Sequence, residues 1–329
     1  MEIHLKKVHG SGNTFFLLDD TQLSAPLAEE ELRQLAKQLA DPENAVLGGA
    51  DGLLLVTQSQ AADCLGKMRV INEDGSEASM CGNGLRTVAR YLAEKYQMKH
   101  FAVETLQAPL AVEQAPDLAK GVAAFQVEIG PVSFDLATFP AAFPDRKKLF
   151  NEEVPAFSER FHFPSTQRFT AVSVPNPHLV SFVPAKEDCF SPDFEAFARF
   201  CNGENPYFPD GVNVSFAYIM EANQLFVRTY ERGVGFTNAC GTAMTATSFI
   251  YTLLTHPAEK LNLLTVYNPG GVVQVSVRQE EKVRLDLIGN ATFTADVFLV
   301  WEDGKIKTIE KINETKEQDA WEKFIKFWK

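Results

Sequence analysis

The sequence lacks a long apolar run, an excess of basic residues and a phosphate-binding loop motif, and each absence excludes a class of protein. No segment approaches the ~18 consecutive apolar residues of a membrane-spanning helix. Lys and Arg total 31 against 43 Asp and Glu, so the net charge of −12 argues against a nucleic-acid-binding surface. The first ten residues alternate charged and apolar side chains and resemble no secretory signal. We therefore expect a cytoplasmic protein that binds neither nucleic acid nor membrane.

Glycine-rich and cysteine-rich cofactor motifs are also missing. The segment 10–12 lacks the third glycine of a dinucleotide-binding fingerprint, and no GxxxxGK[ST] pattern occurs. None of the five cysteines has CxxC spacing or a nearby histidine, so we expect no metal site. In a reducing compartment these cysteines are thiols. Three of them, Cys64, Cys189 and Cys201, are interpreted as buried or incidental, on a strand, in a loop and on a helix respectively.

The remaining two cysteines share a local pattern. Cys81 and Cys240 are each followed by Gly and then by a segment with helical spacing. Asn83 and Thr242 stand two residues after each cysteine and are typical helix-start residues. Each thiol is therefore predicted to lie at a helix N-terminus, where the helix dipole lowers its pKa and favours the thiolate.

The pattern around the two cysteines indicates an internal duplication. Asn13 precedes an apolar run 68 residues before Cys81, and Asn176 precedes another 64 residues before Cys240. Nine residues before each cysteine stand Asn72 and Glu231 respectively. We interpret the halves as two copies of one α/β unit. The domains are predicted at 1–130, to which a segment of about 292–329 returns, and at 131–291.

Hydrophobic periodicity places the secondary structure within these halves. Strands are predicted at 2–8, 14–19, 52–57, 67–72, 101–106, 122–129, 169–174, 178–183, 212–220, 224–230, 263–267, 272–278, 282–288 and 293–301. Helices are predicted at 28–40, 83–96, 192–202, 242–255 and 315–328. The proline-rich stretch 131–165 is interpreted as a linker and insertion. Short connections between successive strands favour antiparallel pairing.

Two thiols at two helix N-termini suit inversion at a carbon next to a carboxylate. One cysteine, as thiolate, would take the α-proton, and the other, as thiol, would protonate the opposite face. Backbone amides at Gly82, Asn83, Gly241 and Thr242 would bind the carboxylate and stabilise its developing charge. His178 and Glu231 could hold or shuttle protons near the thiols.

Several separate motifs then resemble one family, diaminopimelate epimerase. They are residues 9–15 (HGSGNTF), 72–86 (NEDGSEASMCGNGLR), 176–178 (NPH), 228–235 (RTYERGVG) and 239–242 (ACGT). They occur in the order found in that family. The resemblance implies an α+β fold of two pseudo-symmetric domains, each a mainly antiparallel barrel-like sheet around a central helix.

The resemblance also implies a function and a set of site residues. It implies a cofactor-independent isomerase that converts LL-diaminopimelate to the meso form for lysine and peptidoglycan synthesis, usually as a homodimer. Cys81 and Cys240 would be the acid–base pair, with His178 and Glu231 as catalytic neighbours. The distal amino-acid end of the small-molecule substrate would be bound by Asn13, Asn72, Asn176, Asn213 and Arg232. Asn213 is unusual in a strand of apolar residues, which independently favours a functional role.

A few positions depart from the commoner family pattern, and two other functions remain open. Phe236 stands where an acidic residue is usual, Ala243 replaces a glycine, and the linker and the tail beyond 302 are long. One alternative is a racemase of the same fold acting on another amino acid, such as histidine. The other is a non-enzymatic thiol redox sensor or amino-acid-binding protein.

Overall fold

The computed structural model describes residues 1–41, 46–78, 80–143 and 146–326. The chain forms two compact units. Unit 1 comprises residues 1–128 and 288–329, and unit 2 comprises residues 129–287. Within the described residues, no helix is long and apolar enough to cross a membrane.

Strands outnumber helices in both units. The strands are β1 Glu2–Gly10, β2 Asn13–Asp19, β3 Gly52–Thr57, β4 Cys64–Asn72, β5 Glu77–Ala78, β6 His100–Glu104, β7 Pro109–Ala119, β8 Val122–Glu128, β9 Glu152–Glu153, β10 Arg168–Val174, β11 Asn176–Val183, β12 Asn213–Glu221, β13 Gln224–Glu231, β14 Gly235–Phe236, β15 Leu261–Asn268, β16 Gly271–Gln279, β17 Val283–Asn290, β18 Thr292–Glu302 and β19 Lys305–Glu314. The helices are α1 Glu29–Ala40, α2 Gly82–Tyr96, α3 Pro155–Phe161, α4 Pro192–Cys201, α5 Gly241–Thr255 and α6 Glu317–Ile325.

The sheet of unit 1 is mainly antiparallel and is built around helix α2. Strand β1 pairs antiparallel with β2 and with β18, and β18 pairs antiparallel with β19. Parallel pairs β2–β3 and β4–β6 alternate with antiparallel pairs β3–β4 and β6–β7. The first three turns of α2 are almost entirely buried. A buried helix of this kind fixes its N-terminus, with Cys81, relative to the surrounding strands.

Unit 2 repeats this pairing order. Strands β10–β11, β12–β13 and β15–β16 are antiparallel, whereas β11–β12 and β13–β15 are parallel. Helix α5 follows the short strand β14 as α2 follows β5, and its residues 241–252 are buried. The two copies expected from the sequence are therefore present, with α2 and α5 as equivalent central helices.

The duplication places the candidate site residues at equivalent ends of strands. Asn13 and Asn176 begin β2 and β11, and Asn72 and Glu231 end β4 and β13. The first residue of β3 is Gly52, and its counterpart in β12 is Asn213. The polar side chains thus occur where regular strand pairing ends.

Six elements and the linker differ from the sequence prediction. The elements that were not expected are strands β5, β7, β9, β14 and β19 and helix α3. The predicted linker at 131–165 is instead packed into unit 2, where Leu149, Phe157 and Phe161 are buried. Its aromatic side chains bury a large apolar area against β10 and α4, which a solvated linker would expose. The C-terminal helix spans 317–325 with Trp321 buried; Trp328 of the predicted stripe lies outside the described residues.

Candidate active site

In unit 1, Cys81 lies at the N-terminus of α2 and is connected to the start of β2. Its Sγ accepts a hydrogen bond from the Gly84 amide at 3.3 Å and lies 3.7 Å from Oδ1 of Asn13. The same Oδ1 atom accepts from Nδ2 of Asn83 at 3.4 Å. Asn13 in turn donates from Nδ2 to Asp51 at 2.7 Å, which fixes its orientation. The thiol is thus surrounded by amide donors and an oriented amide oxygen.

Asn72 lies in the turn that leads from β4 to Cys81. Its Nδ2 donates to Oγ of Ser76 at 2.9 Å, and its backbone amide donates to the Ser76 carbonyl oxygen at 2.8 Å. These contacts hold the turn at the end of the strand. Asn72 is half-buried, so part of its surface remains available to a ligand.

In unit 2, Cys240 precedes α5 and is buried. Its Sγ lies 3.5 Å from Oγ1 of Thr242, and its thiol hydrogen-bonds with Glu231. Burial, followed by the negative charge of Glu231, raises the pKa of the Cys240 thiol well above its usual value. Burial also raises the pKa of Glu231, although Thr237 donates a hydrogen bond to that carboxylate. Cys240 is therefore a protonated thiol at neutral pH.

His178 is a buried, neutral imidazole. Within the described part of the chain, neither of its ring nitrogens has a hydrogen-bond partner. Burial, aided by the positive charge of Arg232, lowers the pKa of His178 to about 3. The ring is therefore uncharged near neutral pH and does not serve as a resting cation.

Asn213 orients the loop that carries Arg232. In the parallel pair β11–β12, Asn213 is in register with His178. Its Oδ1 accepts a hydrogen bond from the Arg232 amide at 2.8 Å, and Arg232 extends Nη1 towards the Asp210 carbonyl oxygen at 3.4 Å. The structure therefore brings four predicted residues of this half together, namely His178, Asn213, Glu231 and Arg232. Asn176 begins β11 two residues before His178 and is half-buried.

Two details of the sequence prediction are wrong. The helix caps are the cysteines themselves, because α2 and α5 begin at Gly82 and Gly241. Asn83 and Thr242 instead occupy the first turn, where backbone amides lack intrahelical partners. The predicted lowering of the thiol pKa also fails at Cys240, because burial next to a carboxylate outweighs the helix dipole.

The other cysteines lie away from these helix N-termini. Cys189 and Cys201 are buried, and burial raises the pKa of both. Cys64 begins β4, as the strand pattern predicts. Among the described residues, no group of three or more His, Cys, Asp and Glu side chains is arranged to hold a metal ion.

Sequence comparisons identify the family. A sequence model described as diaminopimelate epimerase matches residues 5–134 and 170–294, more than half of the chain. The chain is 53% identical to the diaminopimelate epimerase of Enterococcus faecalis over 329 residues, covering 99% of this chain and 98% of that relative. The chain belongs to the diaminopimelate epimerase family. Its identity to the Listeria innocua family member is 46%, over 98% of this chain and 96% of that relative. The predicted family and enzyme class, an isomerase, are confirmed.

Solved structures agree on the fold. A PhzF-family phenazine biosynthesis protein from Bacillus anthracis aligns with a TM-score of 0.67 at 17% identity, covering 92% of this chain and 100% of that chain. A hydroxyproline epimerase from Agrobacterium vitis aligns with a TM-score of 0.58 at 13% identity, covering 91% of each chain. At these identities the likeness concerns the fold alone, and the predicted fold class is confirmed.

The long linker and tail also align with curated relatives of this chain. The family model omits residues 135–169 and those after 294, yet the Enterococcus faecalis relative aligns over almost its full length.

Phe236 packs edge-on against Phe194 and Tyr230, and the Arg228 guanidinium lies 3.9 Å from its ring centroid. The ring that replaces an acidic residue is therefore part of an aromatic cluster.

Sequence reasoning assigned no role to Asp51, Thr237 or Arg86. Arg86 ends the motif 72–86, whereas Asp51 lies in none of the motifs given above, and the partners of both residues are distant in sequence. Thr237 is six residues from Glu231, and the intervening turn brings its hydroxyl to the carboxylate. This contact between Thr237 and Glu231 depends on the geometry of the turn, which the residue types alone do not specify.

Proposed function

We propose that this chain interconverts LL- and meso-diaminopimelate without a cofactor, with Cys81 and Cys240 as the two acid–base groups. The main support for the proposal is that the two cysteines occupy equivalent positions in the two units. Each directly precedes the buried central helix of one unit. The family membership supplies the substrate, and the two domains each contribute one thiol.

In the proposed reaction, one thiolate removes the α-proton of the substrate. The C–H bond breaks, an S–H bond forms, and the electron pair moves onto the α-carbon and its carboxylate. The second thiol then delivers its proton to the opposite face and becomes a thiolate. The reverse reaction or exchange with solvent restores the starting protonation states.

The helix N-termini supply the electrostatic stabilisation of this intermediate. The amides of Gly82, Asn83, Gly241 and Thr242 belong to first turns, where N–H groups point away from the helix. We assign them to the reacting carboxylate, whose charge increases as the proton leaves. His178 and Glu231 are assigned to the Cys240 half, where they adjust and relay its proton.

The distal amino and carboxylate groups of the substrate need a second polar region. We assign Asn13, Asn72, Asn176, Asn213 and Arg232 to that end. Arg232 provides the charge complementary to a carboxylate, and Asn213 holds its backbone in place. Asn13 also contacts Cys81 directly, so it connects substrate binding to the thiol.

The proposal includes a homodimer located in the cytoplasm. The proposed chemistry supports the location, because the reaction needs two reduced thiols and a reducing compartment keeps cysteines in that state. The dimer rests on the family resemblance. Sedimentation of the purified protein tests it directly.

The decisive experiment is proton NMR of the purified, reduced protein with LL-diaminopimelate in D2O. Loss of the α-proton signal together with appearance of the meso isomer is the expected result. Activity on a simpler amino acid alone would favour a racemase instead. Ligand binding or reversible thiol oxidation without α-proton exchange would favour a binding or redox protein.

Substitution of each cysteine tests the two-base assignment. We expect Cys81→Ala and Cys240→Ala each to lower turnover by at least about 10³-fold, because each variant loses one proton donor or acceptor. Cys64→Ala, at a half-buried thiol on β4, is the control and should retain turnover. Full turnover in either of the first two variants would refute the assignment.

A further inference from the structure

Arg86 is the largest fully buried side chain among the described residues, and it lies in unit 1 on helix α2. Its Nε donates to the backbone oxygen of Asn290 at 3.1 Å, and its Nη2 donates to Oγ of Ser11 at 3.0 Å. Both acceptors are neutral. Nη1 has no hydrogen-bond partner in the described part of the chain.

A buried guanidinium normally pairs with a carboxylate, since burial of an unpaired charge is costly. No carboxylate among the described residues forms an ion pair with Arg86. Burial lowers the pKa of Arg86 to about 10, so it remains a cation at neutral pH. Among the described residues, the charged group that raises this pKa is the Cys81 thiolate, which lies five residues earlier at the helix N-terminus.

Two glycines make room for this cation. A Cβ atom on Gly10 would lie 2.9 Å from Nη2 of Arg86, and one on Gly289 would lie 3.0 Å from its Cζ. Both distances are shorter than ordinary carbon contacts, so the guanidinium is held against bare backbone on two sides. Its position is therefore set by the fold of unit 1 and not by an ion pair.

The equivalent positions in unit 2 carry the opposite charge pattern. Five residues after Cys240 stands Thr245, whose hydroxyl donates to the Gly241 carbonyl oxygen. Nine residues before Cys240 stands Glu231, where unit 1 has the neutral Asn72. One thiol is thus accompanied by a buried cation and the other by a buried acid, although the two helices occupy equivalent places.

We propose that Arg86 is a positioning residue for Cys81: its buried guanidinium stabilises the thiolate, so that Cys81 is the resting base while Cys240 rests as a thiol. The inference rests on the proposed two-cysteine function. It predicts that a neutral residue at position 86 shifts the protonation of Cys81 without removing a substrate contact.

The test measures the alkylation rate of Cys81 by iodoacetamide against pH, with each cysteine-containing peptide quantified by mass spectrometry. The midpoint of this pH profile reports the pKa of the Cys81 thiol. In Arg86→Gln we expect this midpoint to rise by about one pH unit, which is the lower end of the effect of a nearby opposite charge. Below the midpoints of both proteins, this shift corresponds to about tenfold slower alkylation. Arg86→Lys, which keeps the charge, should recover part of the shift.

Matched controls separate this electrostatic effect from loosening of the fold. Arg90→Met removes the next arginine of α2, which is paired with Glu317 and Glu94, and should leave the Cys81 midpoint unchanged. Cys64 in the same samples reports on general reactivity, and Cys189 and Cys201 must stay unreactive while the fold is intact. An unchanged Cys81 midpoint in folded Arg86→Gln would overturn the proposal.

Two further readouts keep the proposal falsifiable. Should Arg86→Gln not fold, the unsubstituted protein is compared in its folded and urea-unfolded states, and a folded midpoint at or above the unfolded one would contradict the proposal.

With LL-diaminopimelate, Arg86→Gln should move the acidic limb of kcat/KM to higher pH with little change in KM. A rise in KM with an unmoved limb would instead make Arg86 a substrate-carboxylate ligand. Alkylation needs no substrate, so its outcome is independent of whether diaminopimelate is epimerised.

Discussion

The two proposed reacting thiols interact electrostatically with side chains of different charge. Cys240 hydrogen-bonds with Glu231 and is buried, whereas Cys81 is half-buried, accepts the Gly84 amide and interacts with Arg86. A neighbouring carboxylate stabilises the protonated form of a thiol, whereas a neighbouring cation stabilises the thiolate. The two thiols therefore differ in their electrostatic surroundings, although the two units repeat the same fold.

Glu231→Gln is expected to lower the pKa of Cys240, because the variant removes the negative charge beside the thiol. Turnover should fall by about 10²-fold or more, since Cys240 then loses the carboxylate that hydrogen-bonds to its thiol and exchanges its proton. The pH dependence of kcat, followed by α-proton exchange, measures both effects. Glu310→Gln, on the exposed strand β19, is the control, and equal rates for the two variants would contradict the assigned role.

At the scale of elements, the long segment between β8 and β10 completes the core of unit 2. Phe157 of helix α3 is buried, with ring centroids 5.2 Å from Phe169 and 4.9 Å from Phe197. The same cluster continues through Phe194 to Phe236, beside the turn that carries Glu231 and Arg232. The added segment thus supports the strands from which the proposed site residues of unit 2 project.

Phe157→Ala should destabilise the protein by about 3–5 kcal/mol, because it opens a cavity among aromatic rings. Phe190→Ala is the matched control, since Phe190 lies in the same unit and is 49% exposed. Urea unfolding of both variants gives the comparison. Equal losses of stability would show that the cluster does not behave as a packed core.

At the scale of the whole molecule, two buried histidines connect stability with pH. Burial lowers the pKa of His9 in unit 1 to about 4 and that of His178 in unit 2 to about 3. Unfolding exposes both rings and returns them to an ordinary pKa of about 6.5. Between these values the unfolded chain binds more protons, so the free energy of unfolding decreases as the pH falls below about 6.5.

His9→Gln should therefore reduce the acid sensitivity of the protein. The contribution of His9 alone corresponds to about 3 kcal/mol between pH 6.5 and 4. Urea unfolding at a series of pH values measures the slope, and His100→Gln serves as the exposed control because that ring is solvated in both states. An unchanged slope in His9→Gln would show that protonation of this ring is not linked to unfolding.

The family, the duplication, most strands and the helices that follow the two cysteines could be predicted from the sequence. These features depend on local patterns: apolar periodicity, the Cys-Gly pairs and the motifs around Asn13, Asn72 and Asn176. Strand β19 was missed because most of its residues are exposed, so its pattern lacks a buried face. Helix α3 was missed because it is short and lies in the proline-rich stretch 131–165, which is typical of a loop.

The electrostatics of the candidate site depend on how the chain packs. Cys81 and Cys240 occupy the same place in sequence relative to their helices, yet the pKa of Cys240 is raised by burial next to Glu231. Arg86 is buried by contacts with Ser11 and Asn290, which are 75 and 204 residues away in the chain. Desolvation and Coulomb interactions depend on distance in space, and for these residues that distance is set only when the strands and helices pack.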